Sequence, residues 1–301
     1  MSDRVSLEAL RYAQAVSEAH SFGAAARAYG VTQPALSTGI SKLEDRLGER
    51  LFERSPRGVV PTAFGAHLLP VIDRALLAVD QVAAEAARWN RSADARVRVG
   101  VSPLMNPAIV ARAYTAVCAL PASPAPRQLV LREANVADLR RELSAGELDL
   151  ILVPSVAPMP RFRHRIVDAE PVVVVDHEPS QGGAVELSDL TDTPLILMPD
   201  TCGLTTFTTD LFDANDVPLS AYDGEAATYR VLEEWAKLGL GTAVIPRSKL
   251  ASPDAPHRPL RERGMDVEIF YEAVWDPSSP LADDLADLTA ALSLDAATAD
   301  S

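Results

Sequence analysis

Capping residues divide the first fifty residues of the chain into short helices, and they constrain its fold more than any other feature. Apolar side chains at helical spacing predict a first helix over residues 6–19. Ser21 is a favoured N-cap for a second, alanine-rich helix over residues 22–29. Gly30 then ends that helix, because glycine readily adopts the left-handed turn that follows many helices.

A third helix follows directly. Thr32 can cap it, and Pro34 fits its first turn, where a missing N–H is harmless. Its inward positions recur every three or four residues before Gly48, at Leu36, Ile40, Leu43 and Leu47. Two helices joined by a short glycine turn form the helix-turn-helix pattern, although a small helical bundle shares this spacing.

Residues 50–61 predict a basic wing. They form two short extended pieces around a Ser-Pro-Arg-Gly turn at residues 55–58. Such a hairpin can place Arg54 and Arg57 against phosphates or a minor groove. The wing favours a DNA-binding domain at residues 1–62 over a plain helical bundle.

A long helix is predicted from Thr62 to about Trp89, with Pro70 near its start. Its apolar side chains repeat with a period of 3.5, which suits a coiled-coil-like partner helix. We interpret residues 63–93 as a dimerising linker helix, and the alternative is a long helix packed on its own domain. The repeat comprises Leu68, Ile72, Ala75, Val79, Val82 and Ala86.

Strand and helix patterns alternate from residue 96 onward, which indicates an α/β domain over residues 94–301. Strands are predicted at residues 96–101, 128–133, 148–154, 171–176, 195–198, 242–245 and 267–275. Helices are predicted at residues 106–119, 137–145, 205–215, 225–238 and 281–292.

The same domain is predicted to have two lobes. Proline-rich residues 154–160 suggest the crossover from one lobe to the other, and residues 261–266 suggest the return. Two lobes joined by two strands place a ligand cleft between them. Lobe I would comprise residues 94–156 and 267–301, and lobe II residues 161–263.

The net charge of −14 argues against nucleic-acid binding only until its distribution is considered. Residues 1–62 carry +1, residues 63–93 carry zero, and the remainder carries −15. Cys118 and Cys202 are too few for a disulfide framework, and the first residues lack an apolar leader, so we expect a cytoplasmic protein. No apolar run reaches the roughly 18 residues that a membrane span needs, so no membrane partner is expected.

The N-terminal residues resemble the LysR-type family of bacterial transcription regulators. The resemblance covers residues 6–69 with its spacing intact, and the motifs are highly specific. They are Ser21-Phe22, Ala24 to Ala26, Val31 to Ser37, Ile40, Leu43-Glu44, Leu47-Gly48 and Leu51 to Arg54. Looser matches follow at Leu143, Gly146, Leu148-Asp149 and Ile151, and at Leu238 to Gly241 with Ala243 to Pro246.

The resemblance implies a mostly α winged helix-turn-helix, a long linker helix and a two-lobed, periplasmic-binding-like α/β effector domain. It also implies a sequence-specific transcription regulator that binds double-stranded DNA and a small-molecule effector. Such proteins form a homodimer through the linker helix and usually a homotetramer of two dimers.

We predict no catalytic residue, no metal and no cofactor besides the effector. The five histidines lack metal-ligand spacing, and no Walker or nucleophile-elbow motif occurs. A two-lobed cytoplasmic binding protein or enzyme is the remote alternative.

The family's reading helix falls on residues 32–42. There Gln33 can pair with adenine through two hydrogen bonds, and Pro34 can contact a thymine methyl group. Many members carry a long donor where this chain has Thr38, so the family's guanine contacts are not carried over. Gly39 either lets the backbone approach DNA closely or is a tolerated surface glycine. The predicted DNA-contacting residues are Ser21, Phe22, Thr32, Gln33, Pro34, Ser37, Thr38, Ser41, Lys42, Arg46, Arg54 and Arg57.

The resemblance places the effector between the lobes, at strand-to-helix turns whose N–H groups can hold a carboxylate. We expect an organic anion or metabolite there. The predicted contacts are Ser102, Pro103, Leu104, Pro154, Ser155, Thr201, Cys202, Gly203, Gly224 and Glu225.

Cys202 stands where peroxide-sensing relatives keep a reactive cysteine, and a helix N-terminus there would favour the thiolate. Those relatives rely on a second cysteine a few residues later, and residues 203–215 contain none. A thiol-based redox-responsive regulator is therefore the alternative to control by a bound metabolite, and a disulfide switch is disfavoured.

Overall fold

The computed structural model describes residues 5–55, 58–89, 95–121, 126–156, 159–177, 183–199 and 202–293. The chain forms two compact units, residues 1–86 and 87–301, and each has its own apolar core. The division falls within the long helix, so the predicted domain limits at residues 62 and 93 stay predictions. Within the described ranges, no helix is long and apolar enough to cross a membrane.

The first unit contains three short helices, a two-stranded hairpin and most of a long helix. The predicted helices and the predicted wing are confirmed to within two residues at each end. The elements are α1 (Leu7–Ala19), α2 (Phe22–Tyr29), α3 (Gln33–Leu47), β1 (Phe52–Ser55), β2 (Gly58–Pro61) and α4 (Ala63–Trp89).

The capping residues explain where α2 and α3 begin and end. Ser21 and Thr32 accept hydrogen bonds from backbone N–H groups in the first turns, at 3.3 Å and 3.4 Å. Gly30 and Gly48 follow the two helices with φ of 70° and 85°, which glycine adopts without strain. These local signals are why the sequence alone located both helices.

The first half of α4 belongs to the core of the first unit. Leu69, Ile72 and Leu76 are buried there together with apolar residues of α1, α2 and α3. Ile72 therefore packs within its own unit. This corrects the prediction that it belongs to the apolar face that would contact a partner helix. Further along the predicted seam, Val79 and Val82 are 40% and 72% exposed.

The second unit is an α/β structure built on a nine-stranded sheet. Its first elements are β3 (Arg96–Val101), α5 (Pro107–Ala119), β4 (Gln128–Glu133), α6 (Val136–Ser144), β5 (Leu150–Pro154) and β6 (Arg163–Val175). They are followed by β7 (Val185–Glu186), β8 (Leu195–Leu197), α7 (Gly203–Ala214), β9 (Ala221–Glu225), α8 (Tyr229–Lys237) and β10 (Ala243–Pro246). The last are β11 (Arg258–Glu262), β12 (Met265–Asp266), β13 (Glu268–Trp275) and α9 (Ala282–Leu292).

The large sheet runs through both lobes in the order β12-β11-β6-β13-β5-β3-β4, with β10 also paired to β6 and β7 to β11. In lobe I, every residue of β5 is buried. Leu150 and Leu152 share a core with α5 and α9, and Ile151 and Val153 share another with α6. Helices therefore cover both faces of this sheet, as the uninterrupted apolar run suggests.

Two strands carry the chain between the lobes. The first part of β6 pairs with β13 in lobe I, and residues 172–175 pair with β10 in lobe II. The strands cross side by side, because the backbone N–H of Val172 donates to the carbonyl oxygen of Val267 at 2.8 Å. The crossover predicted at residues 154–160 is thus wrong in position, and residues 163–170 belong to lobe I. The predicted return at residues 261–266 is a hairpin of β11 and β12.

Several elements of lobe II differ from the prediction. Only residues 171–176 of β6 were predicted, because the polar start of this strand, Arg163 to Arg165, hides its pattern. The strands β7, β9, β11 and β12 were not predicted, and Glu225 ends β9 rather than beginning a helix. The helix begins at Tyr229 instead, after Thr228, whose hydroxyl accepts from the N–H of Val231 at 3.2 Å.

Candidate DNA interface and effector cleft

The outward face of α3 is polar and exposed. Leu36, Ile40 and Leu43 turn the opposite face into the core of the unit. The exposed residues include every predicted DNA contact on this helix and its cap: Thr32, Gln33, Pro34, Ser37, Thr38, Ser41, Lys42 and Arg46. The hydroxyl of Thr38 donates to the carbonyl oxygen of Pro34 at 2.8 Å, so its oxygen can still accept a hydrogen bond.

Gly39 sets how closely α3 approaches α1. A Cβ atom at this position would lie only 2.6 Å from Cδ2 of Tyr12, closer than real Cβ contacts come. The buried ring of Tyr12 is held in turn by its hydroxyl, which donates to Glu8 at 2.7 Å, and by an edge contact with Tyr29. Gly39 is therefore explained by helix packing and is not a tolerated surface glycine, whereas a close approach of its backbone to DNA stays a prediction.

The hairpin of β1 and β2 is attached firmly to α3 and α4. The Glu44 carboxylate accepts from the backbone N–H groups of Leu51 and Phe52 at 2.8 Å and 3.3 Å. The hydroxyl of Thr62 donates to the carbonyl oxygen of Arg50 at 2.6 Å. A Cβ at Gly65 would lie 1.9 Å from the carbonyl oxygen of Leu51, so only glycine allows α4 to start so close to the hairpin.

The remaining predicted DNA contacts lie around this hairpin. Ser21 acts as the cap of α2, and the half-buried ring of Phe22 makes an edge contact with Phe52, with ring centroids 6.3 Å apart. Arg54 lies in β1 opposite Val59. Arg57 lies outside the described residues.

An open groove of about 830 Å³ lies between α3 and the hairpin. Gln33, Ser37 and Ser41 line it. Sequence reasoning did not anticipate the other charged residues of its lining, which are four acids and one base: Glu44, Asp45, Glu49, Glu53 and Arg50. The net negative charge of this lining disfavours DNA phosphates in the groove. Attraction to DNA is therefore expected from the N-terminal half of α3 and from its basic side chains.

In the second unit, a cleft of about 360 Å³ lies between the two lobes. The predicted contacts Ser102 and Pro103 line it from lobe I, and Cys202 and Gly203 line it from lobe II. Its other described lining residues were not predicted: Glu133, Asn135, Val136, Met198, Pro199, Ala227, Thr228 and Tyr229.

Five other predicted effector contacts do not line the cleft, which corrects their placement. Leu104 is fully buried in the core, and Pro154 is buried at the end of β5. Ser155 turns its hydroxyl toward Glu272. Gly224 and Glu225 lie on β9, whereas the sequence predicted a helix beginning at residue 225. A further predicted contact, Thr201, lies outside the described residues.

Three helix N-termini meet in the cleft. Asn135 caps α6, Cys202 is the N-cap residue of α7, and Thr228 caps α8. The first-turn N–H groups of a helix lack partners within the helix, so they attract anions. Ser102 adds a hydroxyl, whose oxygen accepts from the N–H of Leu104 at 3.2 Å and whose hydrogen can donate to a ligand. The sequence analysis named neither Asn135 nor Thr228 as a cap, and the convergence of the three N-termini depends on the lobe arrangement.

The thiol of Cys202 lies on the lobe II wall of the cleft. Its sulfur is 3.6 Å from the Tyr229 hydroxyl oxygen and 3.8 Å from the Met198 sulfur. Burial raises the pKa of Tyr229, so its phenol stays neutral. Both cysteines of the chain are free.

A half-buried cation, Lys249, lies behind the same wall. The ammonium group of Lys249 donates to the carbonyl oxygen of Met105 at 2.7 Å, which links lobe II to lobe I. It also lies 5.5 Å from the centre of the Tyr229 ring, and burial lowers its pKa. The crossing strands are held by Glu170, which accepts from the Tyr271 hydroxyl at 2.7 Å and from Ser248.

A winged helix-turn-helix followed by a two-lobed α/β unit with an interlobe cleft defines a DNA-binding transcription regulator with an effector-binding domain. Residues 7–66 match the family model described as a bacterial regulatory helix-turn-helix protein of the lysR family. Residues 90–293 match the LysR substrate binding domain. The chain belongs to the LysR family of transcription regulators.

Individual relatives agree with this assignment. The uncharacterized HTH-type transcriptional regulator YnfL of Escherichia coli (strain K12) is 30% identical over 257 residues, 81% of this chain and 83% of the relative. A protein of Mycobacterium leprae named "Probable hydrogen peroxide-inducible genes activator" is 31% identical over 260 residues, 82% of this chain and 81% of the relative. The crystal structure of full-length BenM shares the fold, with a TM-score of 0.54 at 22% identity, covering 95% of each chain.

Proposed function

We propose that this regulator reads DNA with the N-terminal half of α3 and the hairpin, under control of a small effector whose anionic group binds in the interlobe cleft. The main support for the effector site is that three helix N-termini and the Ser102 hydroxyl converge in one cavity. A ligand that touches both lobes favours the lobe arrangement that it fits best, and it shifts the protein only by that difference in affinity. No further cofactor is proposed.

On DNA, Gln33 pairs with an adenine, and Ser37, Thr38 and Ser41 contact base edges or phosphates. Pro34 contacts a thymine methyl group. Ser21, Phe22 and Thr32 position the two helices, and the basic residues neutralise phosphates: Lys42, Arg46, Arg54 and Arg57. The exposure of the α3 residues supports these roles.

The apolar face of α4 supports a homodimer. Val79 and Val82 are exposed on the half of the helix that extends beyond the core of the first unit. Burial of such a face against a second copy is favourable, because it removes apolar area from water. We propose a homodimer through α4, assembly of two dimers into a tetramer, and action on DNA in the cytoplasm.

Fluorescence anisotropy with promoter DNA of the protein's own or a neighbouring gene tests the DNA-reading surface. We expect Gln33→Ala to weaken binding by about 1–3 kcal/mol and to relax the preference for one base pair. Gln128→Ala, which removes an exposed amide from the second unit, is the matched control and should bind like the wild type. Sequence-independent binding by the wild type would refute the proposal.

The same assay separates a bound effector from oxidation of Cys202 as the signal. Under metabolite control, Cys202→Ser keeps a DNA-binding response to the effector, and peroxide has no effect on the wild type. Loss of a peroxide response in Cys202→Ser, with that response present in Cys118→Ser, would instead establish the thiol as the sensor.

A further inference from the structure

The cleft contains one charged side chain, and an effector with only an anionic group gives that side chain no role. Glu133 is the only charged residue among the described residues that line the cleft. Its side chain is exposed, and it makes no hydrogen bond or ion pair with any other residue in the described parts of the chain. An ionised carboxylate at this place repels a purely anionic ligand.

The strand register places Glu133 near Ser102, and both residues line the cleft. Strand β3 runs parallel to β4, with Val101 beside Glu133, and Ser102 is the next residue of its chain segment. Neighbouring strands are about 4.8 Å apart, so a small ligand on Ser102 is within reach of Glu133. An α-amino acid carries its carboxylate and its ammonium group on the same carbon atom and can meet both residues at once.

The remaining wall of the cleft is mostly apolar. It includes Pro103, Val136, Met198, Pro199 and Ala227. A volume of about 360 Å³ is at the small end of the range for ligand sites, which suits a metabolite of amino-acid size.

The half-buried cation nearby, Lys249, does not replace a ligand as the partner of Glu133. Although the charge of Lys249 acts on Glu133, its ammonium group is engaged by the carbonyl oxygen of Met105 and by the Tyr229 ring. No ion pair joins Lys249 to Glu133 within the described residues.

We infer that the effector is a zwitterion, an α-amino acid with an apolar side chain, whose ammonium group pairs with Glu133 while its carboxylate meets Ser102 and the helix N-termini. This inference rests on the proposed function of the cleft. The apolar side chain of the ligand extends along the apolar wall, where it is removed from water.

Isothermal titration of the full-length protein tests this ligand class with matched probes. The probes are leucine, methionine and phenylalanine and their deaminated counterparts, 4-methylpentanoate, 4-(methylthio)butanoate and 3-phenylpropanoate. We expect at least one amino acid to bind about tenfold or more tightly than its counterpart, as one charged hydrogen bond provides. Glu133→Gln should remove that preference, because the amino acid loses its ammonium partner and the anionic counterpart is no longer repelled and binds as tightly as before or more tightly. Glu268→Gln, an exposed acid outside the cleft, should change neither. Equal or tighter binding of the deaminated acids, or no binding of any amino acid, overturns the inference.

Chemical modification of Cys202 distinguishes two outcomes. Either only the inference about Glu133 is wrong, or the proposed effector site in the cleft is wrong as well. In a Cys118→Ser protein, Cys202 is the remaining thiol, and its rates with cationic, neutral and anionic methanethiosulfonates report the charge inside the cleft. We expect Glu133→Gln to lower the ratio of cationic to anionic rate several-fold. An unchanged ratio overturns the role of Glu133 and leaves an anion-binding cleft intact, while a thiol that is inert to all three reagents refutes an accessible cleft and with it the proposed function.

Discussion

Gly39 shows how the absence of one side-chain atom positions the DNA-reading helix. The residue lies on α3 between Thr38 and Ile40, yet its environment is set by Tyr12 of α1. Helix propensity favours alanine over glycine by about 1 kcal/mol, and the contact with the ring opposes that preference. Which effect is larger depends on whether the Tyr12 ring can move, and its hydrogen bond to Glu8 and its burial restrain it.

We expect Gly39→Ala to destabilise the first unit by about 1–3 kcal/mol, the usual cost of overpacking. In a Tyr12→Leu background, the same substitution should be neutral or stabilising, because the ring is gone and only helix propensity remains. Urea unfolding of the four proteins measures both values. If Gly39→Ala instead stabilises the protein that retains Tyr12, the ring moves aside at little cost and the packing explanation is wrong.

Asp73 is a second residue whose effect depends on packing. Its carboxylate accepts from the Gln14 side-chain amide at 3.2 Å, across the contact between α4 and α1. Burial raises the pKa of Asp73, and the hydrogen bond from Gln14 only partly opposes this. Burial and the charge of Asp73 also raise the pKa of Glu18. A raised pKa means that ionisation costs folding free energy, so stability is lost as the pH rises through the folded-state value.

Asp73→Asn should therefore stabilise the protein at pH 7 by up to about 1 kcal/mol, because the amide oxygen can still accept from Gln14. The gain should disappear below about pH 4, where the carboxyl is protonated in both states. Asp80→Asn is the matched control seven residues along α4. It loses a half-exposed ion pair with Arg11 and should change stability by less than about 1 kcal/mol. Denaturant unfolding at both pH values checks this, and a gain that persists in acid would contradict it.

At the scale of elements, the sequence predicted helices with strong local signals and missed those features that depend on distant residues. Caps and glycine stops located α2 and α3, and the apolar run of β5 located a buried strand. The start of β6 reads as polar because it lies at an edge of the lobe I sheet, where it pairs only with β13. Only part of the cleft lining was predicted. Ser102 and Cys202 were found because they follow predicted strands, whereas Thr228 and Tyr229 were missed because they follow β9, which was not predicted.

The exposed half of α4 leads to a prediction about assembly. We expect Val79→Glu with Val82→Glu to convert a dimer into a monomer, because two charges would be buried in an apolar contact. Arg74→Glu introduces an acid at an exposed position on another side of the same helix and should leave the dimer intact. Light scattering coupled to gel filtration distinguishes the two. A dimer that survives the double substitution would place the contact elsewhere.

For the whole molecule, two separate cores predict two unfolding transitions. Gly39→Ala should lower only the transition of the first unit. Tyr271→Phe should lower only that of the second, by about 1–3 kcal/mol, because the buried Glu170 carboxylate loses a donor. Differential scanning calorimetry checks this, and one common transition that shifts in both variants would show that the units unfold together.

The contact between Gly39 and Tyr12 also has a consequence for evolution. A lineage that gains a side chain at position 39 has room for it only after the ring at position 12 has become smaller. The two positions should therefore change together across the family, with glycine accompanying an aromatic ring and larger residues accompanying smaller partners. The residues proposed to read bases on the same helix are free of this constraint, so operator preference can diverge while the pair that supports the helix changes only in concert.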